Sequence, residues 1–233
     1  MMRPFFSYYG AKWRSAVRYP RPIGNLPTIE PFAGSAGYSV RHSVRKARLF
    51  DVDEHIVGVW SYLIRVGEKE VRALPDLLPG QSVSDLNLCQ EARWLIGFWL
   101  NKANSAPCQT MSAWGRRPEH ASQFWGPAIR ERIARQVAHI REWTIEQADY
   151  RSIDVGYEAN WFVDPPYSTS AGRYYRSDKV NFDHLAIWCS RLRGNVIVCE
   201  QEGADWLPFH PFRSEKTARG NRSMEVVWYG GEA

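Results

Sequence analysis

The chain has 233 residues, enough for one domain or for one domain carrying a large insertion. A hydrophobic share of 44% supplies an ordinary globular core, and no apolar run reaches the roughly 18 residues that a membrane span needs. The net charge is +5, and the four cysteines (Cys89, Cys108, Cys189, Cys199) form no CxxC pair, which argues against a zinc site or a disulfide framework and fits reduced thiols in a cytosol.

The first fifteen residues, MMRPFFSYYGAKWRS, hold no apolar run of signal-peptide length and no small-residue cleavage site, so a soluble intracellular protein is expected. Residues 1–50 carry nine basic groups and one acid, whereas residues 51–100 carry four basic and eight acidic groups. Such segregation suits a face that meets phosphates, and equally a solvated face with no partner.

Short apolar runs then recur between turn signals. Leu26–Phe32 ends in Gly34 and Gly37, Ala47–Val52 ends in acids, and Asn160–Asp164 ends in Pro-Pro. Asn195–Glu200 (NVIVCE) and Met224–Tyr229 (MEVVWY) are rich in β-branched residues and read as strands. Helical periodicity lies between them, over 37–46, 54–66, 86–103, 128–142 and 182–193. Strands alternating with helices predict an α/β fold whose mostly parallel sheet is covered on both faces, with ligands beyond the carboxyl ends of the strands. One interval, from Val52 to Ala159, is longer than one or two βα units need. Within it Ser105–Pro127 has little periodicity, and a loop of that length is usually functional or disordered. Of the eleven tryptophans, Trp94, Trp99, Trp161 and Trp188 read as core, while Trp114 and Trp125 sit in polar sequence and are less easily buried.

Four stretches carry chemistry. Glu30-Pro31-Phe32-Ala33-Gly34-Ser35-Ala36-Gly37 follows a predicted strand and opens a helix, and its small residues let a ligand approach the backbone. It is neither GxGxxG nor a P-loop. Asp51 ends the next strand, where an acid can accept from both hydroxyls of a ribose; it can also cap the following helix, with Asp53 as the competing cap. Asp149-Tyr150 offers a carboxylate for an amino group and a ring for a base face, and read alone it is also an ordinary loop acid beside a packed tyrosine.

Asp164-Pro165-Pro166-Tyr167 is the most specific element. Two prolines remove two backbone donors, stiffen the strand exit and push Asp164 toward extended geometry. The turn presents a carboxylate, a proline carbonyl and an aromatic face, which complement the two N–H groups and the π surface of an amine on a flat ring.

These residues together resemble the Dam-like, α-group DNA adenine-N6 methyltransferases, which depend on S-adenosylmethionine. Tyr8-Tyr9-Gly10-Ala11-Lys12 resembles that family's W-x-G-G-K motif, with Tyr8 for tryptophan and Ala11 for glycine. Glu30–Gly37 resembles its E-P-F-x-G-x-G loop, Asp51 falls at its ribose-binding acid, Asp149-Tyr150 resembles its D-[FY] pair, and Asp164–Tyr167 matches its catalytic D-P-P-Y. Leu100-Asn101-Lys102 is similar to its L-N-R, while the rest of the insertion matches poorly, so no target sequence is carried over.

The resemblance implies a Rossmann-like methyltransferase sheet, mostly parallel with an antiparallel C-terminal strand. It implies a catalytic domain in two parts, 1–66 and 143–233, around a mostly helical target-recognition insertion at 67–142. S-adenosylmethionine, leaving as S-adenosylhomocysteine, is expected against Tyr8, Gly10, Lys12, Glu30, Pro31, Phe32, Gly34, Ser35, Gly37, Asp51, Asp149, Tyr150 and Asp164. Asp164, Pro165, Pro166 and Tyr167 are expected to hold the target base, and no metal is required. Double-stranded DNA is the expected partner, in the cytoplasm or nucleoid of a bacterial or phage-infected cell, with no membrane attachment. Candidate DNA contacts are Arg116 and Arg117 in the insertion, Arg173, Tyr175 and Arg176 after D-P-P-Y, and Arg219 in the last basic loop. An RNA adenine or cytosine N4 acceptor, or a non-catalytic nucleic-acid binder on the same fold, remain open alternatives.

Overall fold

The structure is a computed structural model, and it describes residues 1–102, 104–168, 180–216 and 222–231. Seven strands form one sheet: β1 Thr28–Glu30, β2 Ala47–Asp51, β3 Thr144–Gln147, β4 Glu158–Val163, β5 Arg193–Gln201, β6 His210–Lys216 and β7 Arg222–Gly230. Their spatial order is β3-β2-β1-β4-β5-β7-β6. The first five in space are parallel, and β7 runs antiparallel to both β5 and β6. The expected α/β class, with its mostly parallel sheet and antiparallel C-terminal strand, is the fold observed. Chain order reverses direction between β1 and β4, which makes that gap the topological switch point where ligands of such sheets bind.

Six α-helices are described: α1 Gly37–His42, α2 Glu54–Arg65, α3 Glu68–Ala73, α4 Gln90–Phe98, α5 Pro127–Ala134 and α6 Phe182–Ser190. The alternation of side chains along the central strands splits the core in two. Trp161 and Val163 of β4 and Val196 and Val198 of β5 pack with Leu185, Trp188 and Cys189 of α6. Phe162, Ile197 and Cys199 point to the other face, where Tyr38 of α1 stacks on Phe162 at 4.5 Å. On that side Leu49 of β2 joins Ile56, Trp60 and Leu63 of α2 in a cluster that runs on into α4 and α5. Residues 67–142 thus share apolar packing with α2, and their regular elements among the described residues are helices and short 3-10 turns, joined by long irregular stretches.

Several sequence expectations shift. The helix read over 37–46 is six residues long, stopped where Ser43 turns left-handed at φ 53°. The helix read over 128–142 breaks at Ala134 into a 3-10 turn, Val137–Ile140. Trp125 is buried in the same apolar cluster, its indole donating to the Pro75 carbonyl at 2.8 Å and its backbone N–H to the Trp99 carbonyl at 3.1 Å. Trp94 is only half-buried, against His55. Trp114 stays 48% exposed but lies against His120 and Phe124. Among the described residues no helix is long and apolar enough to cross a membrane.

Candidate active site

A cavity opens at the carboxyl ends of β1, β2 and β4, and three stretches of chain frame it: Tyr8–Lys12, Glu30–Gly37 and Asp51–Asp53. Asp149, Tyr150, Asp164 and Pro166 complete its wall. All thirteen residues expected to hold the cofactor therefore line one cavity.

The turn after β1 is built for close approach by protein before any ligand. Gly34 has φ 44°, and a Cβ there would lie 3.0 Å from the Tyr8 ring. A Cβ on Gly37 would lie 2.6 Å from the Trp13 backbone nitrogen, which backbone cannot yield. These glycines thus admit the N-terminal segment as well as a ligand. Ala36 is left-handed, at φ 47° and ψ 48°, a conformation that suits glycine. Counted from Glu30, the second glycine of the resembled E-P-F-x-G-x-G loop falls at Ala36, and Gly37 lies one place beyond it.

Asp51 fastens this turn. Its Oδ2 accepts from the Gly34 N–H and its Oδ1 from the Asp53 N–H, both at 2.9 Å, while the Trp60 indole donates to the Gly34 carbonyl at 2.8 Å. The cap of α2 is Asp53, whose Oδ1 accepts from the His55 N–H, so Asp51 is free of that task and faces the cavity. Burial pushes the Asp51 carboxyl up to about 6, against the opposing pull of the Asp53 and Gly34 amides. Glu30 is buried and accepts from the Ser39 N–H at 2.8 Å; burial pushes its carboxyl up to about 8.

Asp149 is already engaged: Arg151 grips both its oxygens at 2.7 and 3.0 Å, and it caps the 3-10 turn that follows. Burial alone would raise its carboxyl, and Arg151 more than offsets this to hold it below the usual range. Tyr150 is buried against Phe32 and Trp188, with its hydroxyl 3.0 Å from His184 Nδ1.

In the D-P-P-Y turn, Asp164 and Pro166 line the cavity, Pro165 is buried, and Tyr167 lies behind Lys12. The Lys12 ammonium donates to Asp164 Oδ1 at 2.5 Å and to the Tyr167 hydroxyl at 2.7 Å, and sits 4.8 Å from the Tyr167 ring centre. Burial opposes the Lys12 charge, but Asp164 and the other acidic neighbours lift its pKa well above the usual lysine value. Burial raises the Asp164 carboxyl to about 6 although Lys12 pulls it down. Asp164 Oδ2 makes no hydrogen bond among the described residues and is left for a ligand.

Two functional neighbours escape the sequence reading. Glu225 of β7 reaches Lys12 at 3.4 Å and accepts from the Tyr19 hydroxyl at 2.7 Å. Glu200 of β5 is fully buried and accepts from the Ser168 N–H and the Trp206 indole, both at 3.0 Å, which ties the chain after D-P-P-Y to the loop after β5. The signal available was an acid set inside or at the end of an apolar strand, MEVVWY and NVIVCE.

Arg117 is exposed, and Arg116 donates weakly to the Leu77 carbonyl at 3.4 Å. Arg173, Tyr175, Arg176 and Arg219 lie outside the described residues. Part of the N-terminal basic excess lies away from the cavity: Arg21, Arg41, Arg45 and Lys46 border a groove at the amino ends of β1 and β2. Among the described residues no group of three His, Cys, Asp or Glu side chains is arranged to hold a metal ion.

No protein-family model and no curated protein matches the sequence. Among solved structures, a candidate methylase from Haemophilus influenzae is similar over 90% of this chain and 82% of its own, with 9% sequence identity and a TM-score of 0.36.

Proposed function

We propose that the chain is an S-adenosylmethionine-dependent methyltransferase that modifies the N6 amino group of an adenine flipped out of duplex DNA. The observation that carries this reading is the convergence of the D-P-P-Y carboxylate with the glycine turn, Asp51 and Asp149-Tyr150 on one cavity at the switch point of the sheet. The donor set fits the cofactor. Its walls carry Asp51, Asp149 and Asp164, which suits a cationic ligand, and Asp51 retains lone pairs beside the turn for ribose hydroxyls.

When bound, the cofactor supplies an electrophilic methyl group on a sulfonium. An adenine amino nitrogen is a poor nucleophile because its lone pair is delocalised into the ring. Asp164 Oδ2 and the Pro165 carbonyl accept its two hydrogens, which favours a pyramidal nitrogen and offsets the positive charge that develops there. Asp164 is also the nearest base for the proton that the methylated nitrogen must release. Tyr167 offers a ring face to the base. Flipping the base costs a few kcal/mol, and basic side chains on the DNA backbone offset it.

The test is transfer from methyl-labelled S-adenosylmethionine to duplex DNA, single-stranded RNA and free adenosine, followed by nucleoside separation. Label in N6-methyladenine from duplex DNA is expected. Label confined to RNA, or in N4-methylcytosine, overturns the acceptor assignment, and no label with any acceptor overturns the activity.

A further inference from the structure

We propose that Glu225 is a positioning residue for Asp164, which it governs by sharing the Lys12 ammonium with that carboxylate. The inference rests on Asp164 being the amine acceptor of the proposed reaction. Lys12 is buried and has three protons to place. Three oxygens surround it: Asp164 Oδ1 at 2.5 Å, the Tyr167 hydroxyl at 2.7 Å and Glu225 Oε1 at 3.4 Å. Two carboxylates thus compete for one ammonium, and the distances show Lys12 leaning toward Asp164.

Glu225 does not line the cavity, so it acts through Lys12 and not on a ligand. It is held firmly. Its backbone pairs with Gln201 of β5 and Arg213 of β6, and its Oε1 takes the Tyr19 hydroxyl at 2.7 Å and the Tyr167 hydroxyl at 3.4 Å. Tyr19 in turn accepts from the Cys199 thiol at 3.3 Å. A base amine that donates into Asp164 Oδ2 neutralises part of that carboxylate and loosens its hold on Lys12. Glu225 then offers the ammonium a second carboxylate within the same pocket, so Lys12 keeps its charge and its burial while Asp164 is handed to the base.

The charged and titratable groups facing Asp164 are Lys12 and Tyr19 from the N-terminal segment, Glu30 at the end of β1, Tyr167 beside it, Cys199 and Glu200 from β5, and Glu225 from β7. Lys12 favours the ionised carboxylate; Glu225 and Glu200 oppose it. Removing Lys12 and removing Glu225 must therefore move Asp164 in opposite directions, whereas a general loosening of the pocket would move both one way.

The experiment follows the Asp164 side-chain carbon by 13C NMR through a pH titration of the ligand-free protein. Glu225→Gln is expected to lower the Asp164 midpoint by roughly 0.5–1 pH unit, and Lys12→Met to raise it. Glu225→Asp keeps the charge but withdraws it from Lys12, and is expected to fall between wild type and Glu225→Gln; it also serves where the glutamine variant folds poorly. The acid limb of the methylation pH profile should shift in the same directions. An Asp164 midpoint that stays put in both Glu225 variants, or that moves the same way in Glu225→Gln and Lys12→Met, overturns the proposal. Opposite shifts in a protein that methylates no acceptor keep the Glu225 link and overturn the methyltransferase reading.

Discussion

Replacing Glu30 by glutamine probes the floor of the cavity without changing its shape. Glu30 ends β1, is 2% exposed, and holds the start of α1 through the Ser39 N–H at 2.8 Å. Glutamine keeps an oxygen for that bond. In the folded protein burial raises the carboxyl from 4.5 to about 8. The unfolded chain therefore releases this proton first as pH rises. The folded state keeps its full relative stability below about pH 4.5, loses it progressively up to about 8, and is level above. At about 1.4 kcal/mol per pH unit, that rise corresponds to about 5 kcal/mol. Glutamine has no such titration, so the wild type should lose about this much relative to Glu30→Gln between pH 4 and 9. Urea denaturation of both proteins across that range measures the difference directly. A difference that does not change with pH would mean that Glu30 is ionised in the fold, and the account of the cavity floor as a protonated acid would fail.

Gly37→Ala should lower stability by about 1–3 kcal/mol in the same assay, because its Cβ meets the Trp13 backbone at 2.6 Å, while Ala36→Gly should stay within about 1 kcal/mol of wild type, relief of the left-handed backbone offsetting a lost methyl. Asp164→Asn should cut methyl transfer by about 100-fold or more in single-turnover assays, and a rate near wild type would remove Asp164 from the reacting centre. Arg117→Ala, which removes an exposed charge, should reduce the slope of log affinity for duplex DNA against log salt by about 1, whereas Arg116→Ala should change it less because that side chain also serves Leu77.

The parallel core of the sheet was legible because β1, β2, β4 and β5 are buried on both faces and read as short continuous apolar runs. The two edge strands were not. β3, Thr144–Gln147, is mostly exposed, and β6 begins His210-Pro211 and bears Arg213 and Glu215, so no apolar run marks either. The cavity lining was legible through motif order, since Glu30–Gly37, Asp51, Asp149-Tyr150 and Asp164–Tyr167 each lie at the end of a strand on the same edge of the sheet, whereas Tyr8–Lys12 follows no strand. Its polar underside was not: Tyr19 and Glu225 meet across 206 positions, and no local pattern announces a pairing at that separation. Nor does a pattern say that Asp149 is gripped by Arg151, or that Gly37 makes room for the backbone of Trp13 as well as lining the cavity.

Lys12 joins the twelfth position of the chain to Asp164, 152 positions on, and to Glu225 in the last strand of the sheet. During synthesis the ammonium can meet Asp164 only after β4 has emerged, and Glu225 only after β7 has followed. Such long loop closures are slow to form. The centre therefore assembles late, after the parallel strands and their helices have a core, and a chain interrupted before β7 leaves Lys12 with an incomplete set of partners. A copy that stops before β7 keeps the residues of the cofactor cavity but lacks the acid proposed to let Lys12 release Asp164.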